Sequence, residues 1–206
     1  MIESLKPFYN KVLRPFALFL GKLGIHPNHI TITGLLLFTI AAWLCSTGSW
    51  KTALILVICG SLFDGLDGVL ARETGKKSIF GGILDSSCDR LTEIALFSGL
   101  LLYYLKNPSV NYMEIILCFT GISGSVMVSY VKARCEGGGI QCSRGILQRP
   151  ERLILLSIGL LIGPSSMLWI LLIISVLAAV TTVQRLIEAA VQCRKKLTQK
   201  SPESAV

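Results

Sequence analysis

Six long apolar segments constrain the fold of this chain more than any other feature. They lie at about residues 30–47, 51–72, 81–105, 112–131, 152–163 and 167–189. A helix of about 20 apolar residues crosses the hydrocarbon core of a bilayer, which is about 30 Å thick. The fifth segment is short for a span unless it begins near Gln148. Because 52% of the residues are hydrophobic, we predict an all-α integral membrane protein with six transmembrane helices.

The basic residues predict how these helices are oriented. All but three of the 20 Lys and Arg residues lie in four regions: 6–22, 72–77, 132–152 and 185–200. Lys51 and Lys106 belong to the opposite side, and Arg90 lies within the third span. Loops rich in Lys and Arg stay in the cytoplasm, so we predict a multi-pass protein of the cell membrane with both termini cytoplasmic. The net charge of +8 then reflects topology and contact with anionic lipids, not nucleic-acid binding.

The two ends of the chain are predicted to lie outside the spans. Residues 1–25 have apolar residues near helical spacing and four Lys or Arg residues at polar positions, as in amphipathic helices of the membrane interface. Residues 190–206 form a basic tail that we expect to be partly disordered. The whole chain, 1–206, is predicted to be one membrane domain. Most of the seven cysteines lie in apolar segments, and we interpret them as reduced.

One polar stretch separates the second and third spans and contains four aspartates, Asp64, Asp67, Asp85 and Asp89. The spacing within each pair, three and four positions, puts both carboxylates on one face of a helix. The loop between the two helices is short, so we expect them to be antiparallel neighbours whose carboxylates converge at one depth. Ionisable groups at membrane depth usually mark a functional site.

Four converging carboxylates would repel one another unless a cation shares their charge. No Cys or His stands in register with them, so one or two Mg²⁺ or Mn²⁺ ions fit better than zinc. Gly65 and Gly68 leave space for a phosphate group beside the aspartates. The alternative is structural: the acids cap helix ends or pair with Arg72, Arg90 and the nearby lysines.

The same stretch resembles the signature of the CDP-alcohol phosphatidyltransferase family, D-x2-D-G-x2-A-R-x8-G-x3-D-x3-D. Every fixed position is present: Asp64, Asp67, Gly68, Ala71, Arg72, Gly81, Asp85 and Asp89. The six predicted spans and the interfacial helix are also similar to the family. The resemblance implies an enzyme of phospholipid biosynthesis. Such an enzyme transfers a phosphatidyl-type group from a CDP-linked lipid (CDP-diacylglycerol or an ether-lipid equivalent) to an alcohol and releases CMP.

The resemblance also implies roles for individual residues. The four aspartates would ligate two Mg²⁺ ions, with Mn²⁺ as an alternative, and Asp89 is in addition the candidate general base. Contacts to the CDP-lipid are implied for seven residues: Pro27, Asn28, His29, Ile30, Gly68, Arg72 and Ser78. For Pro27, a role in starting a helix is an equal alternative. Relatives form homodimers, so a homodimer is expected.

Basic residues in the second half of the chain are predicted to select the acceptor. They are Lys132, Arg134, Arg152 and Arg185. Inside the sixth span, Arg185 is costly unless it faces a cavity. Such a cluster suits a phosphorylated acceptor, although contact with lipid headgroups would also explain it.

Two short patterns, SYVKAR at 129–134 and LDSSCDR at 84–90, resemble the phosphatidylinositol phosphate synthase branch of the family. This resemblance implies L-myo-inositol 1-phosphate as the acceptor. Two alternatives remain: sn-glycerol 3-phosphate or another alcohol with the same chemistry, and a divalent-cation transporter. A transporter would distribute its acids along a path through the bilayer, whereas these four cluster at one predicted interface.

Overall fold

The computed structural model describes residues 6–107, 112–142 and 145–200, with side chains from residue 10 to residue 195. These residues form seven α-helices and no strand: α1 (Lys6–Lys22), α2 (Pro27–Ser46), α3 (Trp50–Glu73), α4 (Ile79–Lys106), α5 (Tyr112–Gly137), α6 (Arg149–Ile162) and α7 (Pro164–Lys200). They divide into two compact units. The first contains α1 to α4 with Leu160–Gly163, and the second contains α5, most of α6, and α7. The all-α prediction is confirmed for this part of the chain.

Four of the described helices are long and apolar enough to cross a membrane, namely α2, α3, α5 and Pro164–Lys195 of α7. Helix α4 is longer than three of them, but it carries four charged side chains from Asp85 to Glu93. Helix α6 has 14 residues and is therefore only about 21 Å long. Large apolar side chains such as Trp43 and Ile55 are exposed on the outer faces of the first unit. These are properties of an integral membrane protein.

One face of α1 packs against α2 and α3, and the opposite face is exposed. Its buried face joins an apolar cluster with α2 and α3: Leu13, Ala17, Ile30, Leu66, Val69 and Leu70. Phe16 and Phe19 on the opposite face are exposed. The helix ends at a turn in which Gly24 has a φ of 77°, a conformation that favours glycine. A helix with one apolar face packed on the protein and exposed phenylalanines on the other face is consistent with the predicted position at the membrane interface.

Helix α2 packs closely against both α3 and α4. Three glycines allow this close approach. Gly34 faces Gly60 of α3, and a Cβ on Gly99 of α4 would lie 2.2 Å from the carbonyl oxygen of Ala42. Helices α3 and α4, which we predicted to be antiparallel neighbours, both pack on α2, so α2 accounts for much of the packing of each. Their carboxylates meet, as described below.

The second unit is built on the packing of α5 against α7. A Cβ on Gly124 would lie 2.8 Å from Cβ of Ala178, and the hydroxyls of Thr120 and Ser175 are 3.0 Å apart. Helix α7 continues to Lys200, whereas we predicted a span ending near 189 and a partly disordered tail. Residues 1–5 and 201–206, which complete the predicted terminal segments, lie outside the described residues.

Candidate active site

Three of the four aspartates come together between the C-terminal part of α3 and the N-terminal part of α4. One carboxylate oxygen from each of Asp64, Asp85 and Asp89 lies within 4.8 Å of the other two, and all three residues are half-buried. Asp85 and Asp89 share a face because they are four positions apart on a helix. The structure therefore brings these three residues together as their spacing predicted. We call them the aspartate cluster.

The chemistry of the aspartate cluster fits a hard divalent cation. All three donors are carboxylate oxygens, which Mg²⁺ and Mn²⁺ prefer. Three carboxylates this close repel one another when they are all ionised, and a cation between them removes that repulsion.

Asp67, the fourth predicted ligand, has a different environment. Its side chain is buried, and Oδ2 accepts a hydrogen bond of 2.5 Å from Oγ1 of Thr31 on α2. Asp85 and Asp64 remain close enough to act electrostatically on it. Asp67 is thus tied to α2 but stays within electrostatic reach of the aspartate cluster.

A cavity of about 250 Å³ opens beside the aspartates. Its walls come from α2, α3, α4 and the loop between α3 and α4: Pro27, Asn28, Thr31, Asp67, Gly68, Ala71, Arg72, Lys76, Lys77, Ser78, Gly81, Gly82 and Asp85. The basic side chains Arg72, Lys76 and Lys77 give the wall positive charge next to the carboxylates. A cavity with basic and acidic side chains side by side suits an anionic ligand that binds together with a cation.

Glycines keep this cavity open at two places. A Cβ on Gly68 would lie 3.5 Å from Nη1 of Arg72. A Cβ on Gly81 would lie 3.0 Å from Oγ of Ser78 and 3.5 Å from Oδ1 of Asn28. Oγ of Ser78 also accepts a hydrogen bond of 2.9 Å from the Gly81 N–H and so caps α4. The cavity wall and the start of α4 are thus built from the same residues.

Most residues predicted to contact a nucleotide line the cavity: Pro27, Asn28, Gly68, Arg72 and Ser78. His29 is exposed, Ile30 is buried in the apolar cluster with α1, and neither lines the cavity.

Sequence reasoning missed Thr31, which contacts Asp67. The available signal was weak: a hydroxyl on an apolar helix needs a partner when it is buried, but the sequence does not say which one.

Two of the four predicted acceptor residues are buried in the second unit. Arg152 and Arg185 are 1% and 4% exposed and lie close enough for their charges to repel. Nη1 of Arg152 donates to the Leu147 carbonyl at 3.2 Å, and Nη1 of Arg185 donates to the Val128 carbonyl at 2.5 Å. Glu136 and Glu188 also lie within electrostatic reach of Arg185 and offset part of this repulsion.

The other two predicted acceptor residues lie at the surface of the second unit. Lys132 and Arg134 are both exposed. Nζ of Lys132 is 3.8 Å from a carboxylate oxygen of Glu136 on the next turn of α5, a pairing that contributes little at an exposed site. The structure thus separates the predicted set into a buried pair and an exposed pair.

Comparison with known proteins places these features in one family. The sequence model of the CDP-alcohol phosphatidyltransferase family matches residues 24–186, which include the aspartate cluster, the cavity and both buried arginines. An archaetidylinositol phosphate synthase of Pyrococcus horikoshii is 34% identical over 190 residues, covering 92% of this chain and 96% of the relative.

Solved structures of a phosphatidylinositol phosphate synthase of Mycobacterium tuberculosis are also similar. The structure with CDP-DAG bound is 30% identical with a TM-score of 0.81, covering 87% of this chain and 94% of that chain. The structure with manganese and citrate is 31% identical with a TM-score of 0.79, covering 86% of this chain and 88% of that chain.

Proposed function

Because the chain belongs to the CDP-alcohol phosphatidyltransferase family, we propose that it transfers a phosphatidyl-type group from a CDP-linked lipid to L-myo-inositol 1-phosphate. The single observation that carries this proposal is the aspartate cluster beside a cavity with basic walls. The acceptor is proposed from the similarity to an archaetidylinositol phosphate synthase and a phosphatidylinositol phosphate synthase. The donor is CDP-diacylglycerol or its ether-lipid equivalent.

The CDP part of the donor is proposed to occupy the 250 Å³ cavity. Arg72 would bind a phosphate group through charge-assisted hydrogen bonds, and Gly68 leaves room beside it. Pro27, Asn28 and Ser78 contribute further wall contacts. For His29 and Ile30 the proposal rests on the family resemblance alone, since neither residue lines the cavity.

Asp64, Asp85 and Asp89 are proposed to hold Mg²⁺, with Asp67 as a further ligand. Two ions are proposed, with Mn²⁺ able to replace Mg²⁺, since a similar structure contains manganese. When bound, such ions neutralise the negative charge of the pyrophosphate and of the departing phosphate. Within this chain, Thr31 keeps Asp67 in one orientation.

The chemical step is a substitution at the phosphorus that carries the lipid. The acceptor hydroxyl oxygen forms a bond to this phosphorus, the phosphoanhydride bond breaks, and CMP leaves with the bonding electron pair. We propose that the Asp89 carboxylate accepts the hydroxyl proton, because general bases of this kind act within hydrogen-bond reach of the nucleophile. Phosphoryl transfer depends mainly on positioning and charge neutralisation, which the described aspartates and basic side chains supply.

The acceptor phosphate is proposed to bind at Arg152 and Arg185. Two buried guanidinium groups that repel each other are stabilised by an anion that both can hydrogen-bond. The exposed Lys132 and Arg134 are proposed to attract the anionic acceptor over a longer range. This division of roles agrees with their different burial.

We further propose six spans, formed by the four helices that meet the length and hydropathy requirements, by α4, and by the 14-residue α6 together with its flanking residues. The positive-inside rule supports cytoplasmic termini and an active site at the cytoplasmic face of the cell membrane. The family match from 24 to 186 includes residues of both units, which supports one domain over 1–206. A homodimer is proposed from the family resemblance.

The proposal is tested with purified protein, Mg²⁺, CDP-diacylglycerol and a panel of acceptors, measuring CMP release and the lipid product. We expect product with inositol 1-phosphate. Product with glycerol 3-phosphate alone would show that the acceptor is wrong, and no CMP release with any acceptor would contradict transferase activity. Asp89→Asn is expected to lower kcat at least about 100-fold while CDP still binds. Ser87→Ala, an exposed site on the same helix, is the matched control.

A further inference from the structure

We infer that Asn10 of α1 is a positioning residue for the donor, because its side chain fixes the Arg72 guanidinium at the wall of the cavity. This inference rests on the proposed function, in which Arg72 binds a donor phosphate. Asn10 lies outside the family signature and outside the matched range 24–186.

The contact joins two residues far apart in sequence. Nη2 of Arg72 donates a hydrogen bond of 3.0 Å to Oδ1 of Asn10. On the other side of the same guanidinium, Nη1 lies 3.5 Å from the position of a Cβ on Gly68. Arg72 and Gly68 both line the cavity. One nitrogen is therefore held by α1, while the other lies against the wall beside Gly68.

The position of α1 does not depend on Asn10. Leu13 and Ala17 are buried in the apolar cluster with α2 and α3. At the other end of α1, Gly21 approaches the residue that follows α3 so closely that a Cβ on Gly21 would lie 2.8 Å from Cγ2 of Thr74. Nε of Arg14 is also 3.1 Å from a carboxylate oxygen of Glu73. Removing the Asn10 side chain therefore leaves α1 in place and frees only the guanidinium.

An amide suits this task better than a carboxylate. A guanidinium has five N–H donors, so a single bond to Asn10 leaves donors for a phosphate. The amide oxygen carries no net charge and does not neutralise the arginine, whereas a carboxylate would compete with the donor phosphate. Arg72 is exposed, and an exposed arginine that is already ordered loses less side-chain entropy when the ligand binds.

The test compares Asn10→Ala with Arg14→Ala, which removes a different polar contact between the same two helices. Donor KM, acceptor KM and kcat are measured at saturating Mg²⁺, CDP affinity is measured by calorimetry without acceptor, and thermal unfolding monitors folding. Asn10→Ala is expected to raise donor KM and the Kd for CDP about tenfold, with kcat and acceptor KM within about twofold. Arg14→Ala is expected to leave donor KM and CDP affinity unchanged.

Two further variants make the inference specific to Arg72. In an Arg72→Ala background, adding Asn10→Ala is expected to have no further effect on CDP affinity, since the group that Asn10 orients is gone. Asn10→Asp is expected to weaken CDP binding, because its carboxylate pairs with Arg72. The inference would be overturned if Asn10→Ala left CDP affinity unchanged, or if Arg14→Ala lowered it equally. It would also be overturned if the effects of Asn10→Ala and Arg72→Ala on CDP affinity were additive.

These outcomes separate the inference from the proposed function. If the wild type forms inositol phosphate lipid but Asn10→Ala binds CDP normally, only the inference fails. If the wild type binds CDP in an Asn10-dependent way but releases no CMP with any acceptor, only the proposed reaction fails. If Arg72→Ala itself leaves CDP affinity unchanged, the donor role of Arg72 and the inference fail together.

Discussion

The hydroxyl of Thr31 on α2 donates a hydrogen bond of 2.5 Å to Oδ2 of Asp67 on α3, and both side chains are buried. This bond connects a helix outside the aspartate stretch to one of the four signature carboxylates. A buried carboxylate that loses a hydrogen-bond donor pays a desolvation cost, so the orientation of Asp67 and the packing of α2 are coupled.

Thr31→Val is therefore predicted to destabilise the fold by about 1–3 kcal/mol and to raise the Mg²⁺ concentration needed for half-maximal activity. The shape of the side chain is kept, and only the hydroxyl is lost. Thr31→Ser, which retains the hydroxyl, should restore both properties. Thermal unfolding and a Mg²⁺ titration of turnover measure these effects.

Thr33→Val is the matched control for this substitution. Thr33 lies on the same helix, is exposed, and donates to the His29 carbonyl of its own helix. The bond to Asp67 would be unimportant if Thr31→Val had normal stability and Mg²⁺ dependence. The same conclusion would follow if Thr33→Val changed both properties as strongly as Thr31→Val.

Gly99→Ala is predicted to disrupt the packing of α4 on α2. The added Cβ would lie 2.2 Å from the Ala42 carbonyl oxygen, so the backbone of one of the two helices must shift. Overpacking of this kind costs about 1–3 kcal/mol or more, so the thermal midpoint should fall. Gly82→Ala on the same helix meets no atom within 4 Å and should leave the midpoint unchanged or raise it. An unchanged midpoint in Gly99→Ala would contradict the close contact.

Arg152→Lys and Arg185→Lys are predicted to raise acceptor KM at least about tenfold while donor KM stays constant. Lysine keeps the positive charge but loses the planar, two-pronged donor geometry that binds a phosphate. Arg14→Lys, an exposed site on α1, is the control for the chemical change itself. Thermal unfolding identifies any variant that fails to fold, and the second arginine then serves as the test. Normal acceptor KM in both folded variants would remove these arginines from acceptor binding.

Cys142 provides a prediction about pH, because burial raises the pKa of its thiol above the ordinary value of 9.0. The thiol is 2% exposed and packs in an apolar cluster with Cys135 and Val131. The thiol keeps its proton to a higher pH in the folded state than in the unfolded state. The stability that the buried, protonated thiol contributes is therefore complete below about pH 9 and declines as pH rises further.

Thermal unfolding between pH 8 and 10.5 tests this prediction. The midpoint of the wild type should fall over this range, and it should fall less in Cys142→Ala. Cys193 is exposed, so Cys193→Ala should keep the wild-type dependence. Equal dependence in Cys142→Ala and wild type would assign the effect to other groups.

The convergence of Asp64, Asp85 and Asp89 could be predicted from the sequence because it depends on helix periodicity and a short loop. The partner of Asp67 could not be predicted, because it depends on α2 packing against both α3 and α4. That arrangement follows from close approaches at Gly34, Gly60 and Gly99, and the sequence does not state which surfaces those glycines face.

In the second unit, too, some features could be predicted from the sequence and others could not. The cost of an arginine within an apolar segment predicted that Arg185 faces a cavity, but it did not indicate that Arg185 lies near Arg152. The glycine run at 137–139 had no sequence interpretation. In the structure it forms a turn in which Gly139 has a φ of 69° and the Ile140 N–H donates to the Cys135 carbonyl at 2.8 Å. This turn, which depends on the positive φ of Gly139, brings Cys142 back to pack against Cys135.

In the proposed reaction, the aspartate cluster supports metal-dependent transfer from a CDP-linked lipid. The most direct test of this transfer is mass-spectrometric measurement of the lipid product from CDP-diacylglycerol and inositol 1-phosphate, first in Mg²⁺, then after chelation, then after Mg²⁺ is restored. The wild type should form phosphatidylinositol phosphate, stop on chelation and recover fully, while Asp85→Asn should form almost none at any stage. Continued product formation in excess chelator, or full activity of Asp85→Asn, would show that the aspartate cluster does not act through a divalent cation.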